Sequence, residues 1–262
     1  METLVIERDG GVVTVTMNRP ERKNAANARM LEELWRTFID VERRTEDRVL
    51  VLTGAGGAFC SGADLGAAEG PAGGAGQTVH GLLRMRRLGD VALALHRLAK
   101  PTIAKVDGVA VGAGLGLALG CDLVVASDRA RFSTIFSRRG LTLDNGSSWL
   151  LPRLVGMARA KELALFGDMV EAADALAIGL VNRVLPVDEL DAFVAEWAGR
   201  LAAGPPLALS MTKTLLHASF SGSMEQAVES EARCQAVNYA SADTAEAIAA
   251  FKEKREPRFV GR

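Results

Sequence analysis

Apolar residues recur along this chain with two different periods, and the change from one to the other predicts a mixed α/β protein. Residues 4–7 and 12–17 are short apolar runs around Asp9-Gly10-Gly11, which is typical of a β-hairpin. Residues 27–44 space their apolar side chains as an amphipathic helix does. Residues 49–53 are continuously apolar, as a buried strand is. The chain therefore opens with strands and a helix that covers them.

The middle of the chain continues the alternation of strand and helix. The predicted order is helix 79–98, strand 102–106, helix 112–119 and strand 122–126. Strands that alternate with helices favour parallel pairing. Between the first of these helices and the preceding strand, residues 66–77 are a low-complexity run that predicts a loop.

The last part of the chain is predicted to be helical. A helix over 188–202 ends at Gly204-Pro205-Pro206, which we interpret as the boundary between a core, residues 1–204, and a C-terminal helical region, residues 205–262. Helices are predicted near 206–217, 223–239 and 243–255. In the last of them Asp243, with Glu246 three residues on, predicts the N-terminal cap.

Composition indicates a soluble intracellular enzyme. The chain has 262 residues, of which 48% are hydrophobic and 24% charged, enough for a sizeable core. A net charge of −1 favours neither a nucleic acid nor an anionic membrane as partner. The three cysteines lack the spacing of a disulfide scaffold or a zinc site. No signal peptide is recognisable, and we expect a cytoplasmic protein.

Two glycine-rich stretches carry the candidate chemistry. The first is Phe59-Cys60-Ser61-Gly62-Ala63-Asp64-Leu65, and the second runs from Lys100 to Leu123 with a turn at Asp107-Gly108 and a small-residue helix from about Gly112. Small residues at such turns let backbone N–H groups point at a ligand. Two such turns facing each other would hold one oxygen between two donors, as an oxyanion hole does. The uncharged part of the second stretch is well short of the roughly 20 residues that span a bilayer.

These stretches resemble the crotonase superfamily, the enoyl-CoA hydratases and isomerases, and the resemblance covers essentially the whole chain. Further matching segments are Arg22-Lys23-Asn24-Ala25, Gly140-Leu141, Trp149 to Arg153, Ala177 to Val181 and Phe251 to Arg255. The resemblance implies a spiral of ββα units with a C-terminal helical region that packs on neighbouring subunits. It also implies an acyl-CoA thioester substrate and a homotrimer or a dimer of trimers, with no metal, flavin or nicotinamide.

The resemblance also implies roles for individual residues. The backbone N–H groups of Ala63 and Ala113 would stabilise the enolate oxygen, although the family usually has glycine at the second position. The predicted binding residues for substrate and CoA are Lys23, Ala25, Ser61, Asp64, Leu65 and, from a neighbouring subunit, Lys254. Asp64 is expected to hydrogen-bond its own loop. Loop 66–77 and helix 79–98 are expected to wall the acyl pocket, and Glu69 could reach the site from that loop.

The acid and base residues depart from the pattern of the hydratases. Gly116 and Phe136 occupy the positions of the two hydratase glutamates, and neither side chain transfers a proton. Asp144 matches the single catalytic aspartate of the family's enoyl-CoA isomerases, including the ring-forming type of phenylacetate degradation. Its sequence neighbours Leu141, Leu143 and Trp149 predict an apolar wall that raises its pKa. In isolation, an Asp before Gly-Ser-Ser is also an ordinary turn or cap residue.

Three classes of function follow from these observations. The first is an enoyl-CoA isomerase, or a related enolate-forming enzyme, that uses Asp144 as acid and base. The second is a hydratase that adds water to 2-enoyl-CoA; relatives with an acid at the same turn also displace halide from aryl-CoA or rearrange rings. The third is RNA binding, which one branch of the family performs through a basic helix, but here only Arg84-Met85-Arg86-Arg87 resembles such a patch.

Overall fold

A computed structural model describes residues 1–64, 66 and 78–262, and these form two β-sheets and the helices around them. The strands are β1 (Leu4–Asp9), β2 (Val12–Met17), β3 (Val49–Gly54), β4 (Thr102–Val106), β5 (Val109–Val111), β6 (Leu123–Ser127), β7 (Arg131–Ser133), β8 (Val170–Glu171) and β9 (Arg183–Leu185). The helices are α1 (Ala28–Arg43), α2 (Thr78–Arg97), α3 (Ala113–Gly120), α4 (Ser147–Phe166), α5 (Ala172–Ala177), α6 (Leu190–Ala202), α7 (Pro206–Ala218), α8 (Met224–Tyr239) and α9 (Ala242–Glu253).

The two sheets are built by repeated strand–strand–helix units. Within the described residues, the larger sheet has the order β1-β2-β3-β4-β6-β9 and the smaller one the order β5-β7-β8. Units β4-β5-α3 and β6-β7-α4 each place their first strand in the larger sheet and their second in the smaller one. The predicted hairpin of β1 and β2 is antiparallel, and β2, β3, β4, β6 and β9 pair in parallel. The predicted α/β class and the spiral of ββα units are confirmed.

The larger sheet is buried on both faces, which explains why β3 is a continuous apolar run. Leu50 and Leu52 belong to the main core with the apolar faces of α1 and α2. Val49 and Val51, on the opposite face, pack with Ile103 and Val125 and against α6. Because successive side chains of a strand point to opposite faces, an uninterrupted apolar run is what a two-sided burial requires.

Helix α1 packs on one face of the larger sheet, and its local sequence specifies its start and its buried side. Its cap is Asn27, whose side chain accepts a hydrogen bond from the N–H of Met30 at 2.9 Å. One face is buried at helical spacing, through Met30, Leu34, Phe38 and Val41. The predicted helix is therefore held by both of its sequence signals, the cap and the apolar stripe.

The C-terminal helices α7, α8 and α9 lie close to their predicted ranges, but the cap of α9 was wrongly predicted. Ser241 is the cap and accepts from the N–H of Thr244 at 3.2 Å. Asp243 is instead buried and accepts from the N–H groups of Val260 and Gly261 at 2.7 and 2.9 Å. The aspartate therefore holds the C-terminal segment of the chain, and the role of residues 205–262 in oligomerisation stays a prediction.

Two sequence predictions fall outside the described residues. These are the binding role of Leu65 and the loop over 66–77 with Glu69, of which the structure describes Gly66 alone. Throughout residues 1–64, 66 and 78–262, each helix is too short or too polar to cross a bilayer.

Candidate active site

The two glycine-rich stretches lie side by side. The N–H of Cys60 donates to the carbonyl oxygen of Val109 at 2.9 Å, and the N–H of Val111 donates to the carbonyl oxygen of Cys60 at 3.0 Å. At Gly62 the backbone has φ = 101°, and a β-carbon there would lie 3.0 Å from the oxygen of Val111 and 3.9 Å from the nitrogen of Ala113. Glycine is required at this position by both its φ and the close approach of the second stretch.

Each predicted donor has a free N–H group at this contact. Among the described residues, the N–H groups of Ala63 and Ala113 donate to neither a backbone nor a side-chain oxygen. Ala113 is the first residue of α3, so its N–H also lies at the positive end of the helix dipole. The arrangement fits the stabilisation of one negatively charged oxygen by two N–H donors.

Residues 116 and 136, where the resemblance places the two hydratase glutamates, are closely packed. A β-carbon on Gly116 would lie 2.9 Å from the carbonyl oxygen of Asn145, 3.0 Å from its Cβ and 3.0 Å from Oγ of Ser147. Phe136 is buried, and its ring lies beside Gly112, directly before the second donor. The space that an acidic side chain at residue 116 would need is therefore occupied by the turn that carries Asp144.

Asp144 lies in a tight turn immediately before α4. The carbonyl oxygen of Asp144 accepts from the N–H of Ser147 at 2.9 Å, and Asn145 and Gly146 between them are both left-handed, with φ of 49° and 80°. The side chain of Asn145 donates from Nδ2 to the carbonyl oxygen of Ala113 at 2.9 Å. The turn of the candidate base is thus hydrogen-bonded to the residue that carries the second N–H donor.

The carboxylate of Asp144 is poorly solvated. Its Oδ1 is buried and has no hydrogen-bond partner among the described residues. Burial raises the pKa of Asp144 from 3.8 to about 6. Of the residues predicted to form an apolar wall, Leu141 is 56% exposed and the ring of Trp149 contacts His96 and Arg153, and the wall stays a prediction. The raised pKa comes from the desolvation of the Asp144 carboxyl group itself.

The predicted binding residues around the first stretch are brought together by backbone contacts. The N–H of Ser61 donates to the carbonyl oxygen of Lys23 at 3.0 Å. The hydroxyl group of Ser61 donates to the carbonyl oxygen of Arg22 at 3.2 Å. Lys23 is exposed, whereas Ala25 is 8% exposed. The segment that carries Lys23 therefore borders the turn of Ala63 directly.

Asp64 is held by more than its own loop. Arg19, which the sequence analysis did not single out, donates to Oδ2 of Asp64 at 2.8 Å and also bonds the carbonyl oxygen of Ala25. The N–H of Gly66 donates to Oδ1 of Asp64 at 3.2 Å, which confirms the expected contact within the loop. Lys254, which directly follows α9, is exposed, and in the described part of the chain no hydrogen bond or ion pair joins it to these residues. Its predicted role on a neighbouring subunit stays a prediction.

A cavity of about 700 Å³ lies beside the Asp144 turn. Its walls include Ala92 and Leu93 of α2 on one side and Gly146 and Trp149 on the other. His96 and His217 stack at its edge with ring centroids 4.1 Å apart, and burial together with nearby positive charge lowers the pKa of His96. Among the described residues, no group of three or more His, Cys, Asp or Glu is placed to hold a metal ion.

Two contacts of the site were missed by the sequence analysis. These are the hydrogen bond from Asn145 to Ala113 and the ion pair of Arg19 with Asp64. The dipeptide Asn145-Gly146 is a turn signal that could have drawn attention to the first of them. The buried thiol of Cys60 also lies here, but burial raises its pKa to about 11, so it is not a nucleophile near neutral pH.

The chain is similar in sequence to known proteins over nearly its whole length. The profile of the family described as "Enoyl-CoA hydratase/isomerase" matches residues 7–262. A relative from Rhodobacter capsulatus, named "Probable enoyl-CoA hydratase", is 40% identical over 262 residues, which are 99% of this chain and 98% of that protein. A 1,2-epoxyphenylacetyl-CoA isomerase from Escherichia coli K12 is 38% identical over 266 residues, which are 100% of both chains.

The fold is similar to solved structures. The crystal structure of an enoyl-CoA hydratase from Bacillus anthracis matches with a TM-score of 0.93 at 30% identity, over 99% of this chain and 100% of that one. The fold, with its two adjoining glycine-rich stretches, is that of the crotonase superfamily. Within that superfamily, the chain belongs to the enoyl-CoA hydratase/isomerase family and is an enzyme of that family.

Proposed function

We propose that this enzyme is an enoyl-CoA isomerase that moves a carbon–carbon double bond with Asp144 as its acid and base. The observation that carries the proposal is the half-buried Asp144, whose Oδ1 is buried without a partner among the described residues and whose pKa is raised to about 6, beside a site where Gly116 and Phe136 supply no second acid. A general base works best when its pKa lies near the working pH. One carboxylate suffices for a shift of one proton.

The reaction would proceed through an enolate. The thioester oxygen of a 3-enoyl-CoA accepts hydrogen bonds from the N–H groups of Ala63 and Ala113, which acidifies C2. Asp144 removes a proton from C2, and the electron pair moves onto the thioester oxygen. The enolate then collapses, the double bond forms between C2 and C3, and Asp144 returns the same proton to C4. The product is 2-enoyl-CoA, and no atom is gained or lost.

The remaining parts of the proposal concern binding and assembly. Lys23, Ala25 and Ser61 would lie along the CoA moiety together with Asp64, Leu65 and Lys254 of a neighbouring subunit. The cavity between α2 and α4 would take the acyl group, since Gly146 at its wall is two residues from Asp144. We also propose a cytoplasmic homotrimer or dimer of trimers that requires no cofactor, the CoA being part of the substrate.

A hydratase is the second candidate, because a relative 40% identical to this chain carries that name. Water addition needs one group to activate water and another to protonate C2. A single carboxylate has to perform both steps, and the side chains at residues 116 and 136 assist with neither. The relative from Escherichia coli is named an isomerase of 1,2-epoxyphenylacetyl-CoA, which supports isomerisation rather than water addition.

The absorbance of the conjugated thioester distinguishes the two candidates. We expect it to rise when the enzyme is mixed with 3-enoyl-CoA, because the isomerase forms the conjugated product. A fall with 2-enoyl-CoA and no rise with 3-enoyl-CoA would assign the enzyme as a hydratase and overturn the proposal.

A further inference from the structure

Asn145 has an unusual backbone for a buried residue. It is 7% exposed and left-handed, with φ = 49°, and it follows the candidate base directly. Asparagine tolerates this region better than most residues, but glycine adopts it without a side chain to bury. A turn that only had to reverse the chain at this point would therefore be best served by glycine.

The side chain of Asn145 makes one specific contact. Its Nδ2 donates to the carbonyl oxygen of Ala113 at 2.9 Å, across 32 residues of chain. Ala113 begins α3, and its N–H is one of the two candidate oxyanion donors, unbonded among the described residues. The hydrogen bond therefore joins the turn of the candidate base to the first turn of the helix that carries the candidate oxyanion donor.

The backbone and Cβ of Asn145 make a second contact with the same helix. Residue 116 lies one turn beyond Ala113, and a β-carbon there would come within 2.9 Å of the carbonyl oxygen of Asn145. The absence of a side chain at Gly116 allows the turn to approach α3 this closely. The two contacts, one polar and one steric, hold the turn at a fixed distance from the helix.

The other half of the Asn145 amide is unsatisfied. Its Oδ1 is buried and has no hydrogen-bond partner within residues 1–64, 66 and 78–262. A buried polar atom without a partner destabilises the fold. Asparagine at this position therefore lowers the stability of the fold. A glycine would avoid that penalty but would lose the hydrogen bond to Ala113.

We propose that Asn145 is a positioning residue, which through its hydrogen bond to Ala113 fixes the carboxylate of Asp144 relative to the oxyanion donor. The inference rests on the proposed function for its catalytic consequence. The coupling of the Asp144 turn to the start of α3 does not depend on that function and applies to any enolate chemistry at this site. Misplacement of a catalytic group by about 1 Å lowers a rate by on the order of 100-fold.

The test compares two variants of Asn145 in the full-length enzyme. Asn145→Gly keeps the left-handed backbone and removes the contact, and Asn145→Asp keeps the shape but has no N–H to donate. For the conversion of 3-enoyl-CoA to 2-enoyl-CoA, we expect kcat to fall at least about 10-fold in both variants, with KM within about 3-fold of the wild-type value. A bound aryl-enoyl-CoA chromophore, whose absorbance shifts to the red when donors polarise its thioester, should show a smaller shift in both.

Ser147→Ala is the matched control. Its hydroxyl oxygen lies in the same turn, is buried and has no hydrogen-bond partner among the described residues, so it is not bonded to Ala113. We expect a kcat within about 3-fold of wild type and a full red shift. An equal loss in Ser147→Ala, or wild-type kcat and red shift in Asn145→Gly, would overturn the inference. If Asn145→Gly does not fold, Asn145→Asp decides by the same two measurements.

The outcomes separate this inference from the proposed function. A wild-type enzyme that binds the chromophore with a red shift but does not convert 3-enoyl-CoA refutes the isomerase proposal. The red shift of the Asn145 variants then decides the positioning role alone: a smaller shift supports it and an unchanged shift overturns it.

Discussion

The two aspartates beside the candidate N–H donors differ in how they are held. Asp64 directly follows Ala63, and its carboxylate accepts from Arg19 at 2.8 Å and from the N–H of Gly66 at 3.2 Å. Asp144 lies in the turn bonded to Ala113, and its Oδ1 is buried with no partner among the described residues. The side chain of Asp64 is only 9% exposed but is paired with an arginine, whereas the buried oxygen of Asp144 has no partner among the described residues.

The difference supports different roles for the two residues in the proposed mechanism. Asp64 accepts hydrogen bonds from Arg19 and from the N–H of Gly66, and these contacts hold its loop. A desolvated carboxylate takes up a proton more readily, and burial raises the pKa of Asp144 to about 6. Under the proposed function, burial without a partner therefore points to the base more clearly than nearness to an N–H donor does.

The largest expected effect comes from removing the proposed catalytic base, Asp144. Asp144→Asn removes the proton acceptor and keeps the shape of the turn, so we expect kcat to fall about 1,000-fold or more while the dissociation constant of a CoA ester stays within about 3-fold. Asp64→Asn is the paired control and should keep at least about a tenth of the wild-type kcat. Steady-state kinetics and equilibrium binding on both variants measure this. Near wild-type turnover in Asp144→Asn would end the single-carboxylate mechanism.

The next effect concerns the donor to which the Asp144 turn is bonded. Ala113→Pro removes one N–H at the first position of α3, where proline is tolerated. Loss of one oxyanion donor should lower kcat by on the order of 100-fold to 1,000-fold. Met224→Pro makes the same change at the exposed first position of α8 and should leave kcat unchanged. Full activity in a folded Ala113→Pro enzyme would remove the donor assignment.

A smaller effect follows from the protonation of Asp144. The carboxylate must be ionised to accept a proton from C2, and burial raises its pKa to about 6. We therefore expect kcat/KM to be constant above pH 7 or so and to fall about tenfold per pH unit below about 6. Circular dichroism over the same range controls for acid unfolding. If kcat/KM begins to fall only well below pH 5, a stabilised carboxylate, and not Asp144, is the base.

The elements of the fold were predictable because their signals are local. The apolar stripe of α1 and the uninterrupted apolar run of β3 each follow from the burial of that element. The cap of α9 was mispredicted because Asp243 and Glu246 have the spacing of a capping box, whereas Asp243 binds Val260 and Gly261. Those partners are 17 and 18 residues away, and the sequence spacing of a motif says nothing about such contacts.

The site was predictable only in part for the same reason. Glycine-rich turns and the position of Asp144 are visible in the sequence through the family resemblance. The contact of Asn145 with Ala113 joins residues 32 apart, and the pair of Arg19 with Asp64 joins residues 45 apart. A single sequence carries no record of which distant polar residues meet, so the partners that separate the two aspartates had to come from the structure.

The smallest expected effect concerns stability and depends on how the Asp64 turn and the Asp144 turn are packed. The Asp64 turn is held by an ion pair, whereas the Asp144 turn rests on Gly116, where a β-carbon would lie 2.9 Å from the carbonyl oxygen of Asn145. Gly116→Ala should therefore lower the free energy of unfolding by about 1–3 kcal/mol, because the turn has to move away from α3.

Gly199→Ala in α6 provides the matched control, since a β-carbon there meets nothing within 4 Å. Alanine is the better helix former, so this variant should be more stable than wild type by about 0.5–1 kcal/mol. Urea denaturation gives both values. If Gly116→Ala lowers the free energy of unfolding and Gly199→Ala raises it, residue 116 has to be glycine because the Asp144 turn approaches α3 there. A stabilised Gly116→Ala would contradict this and show that the turn moves away from α3 without penalty.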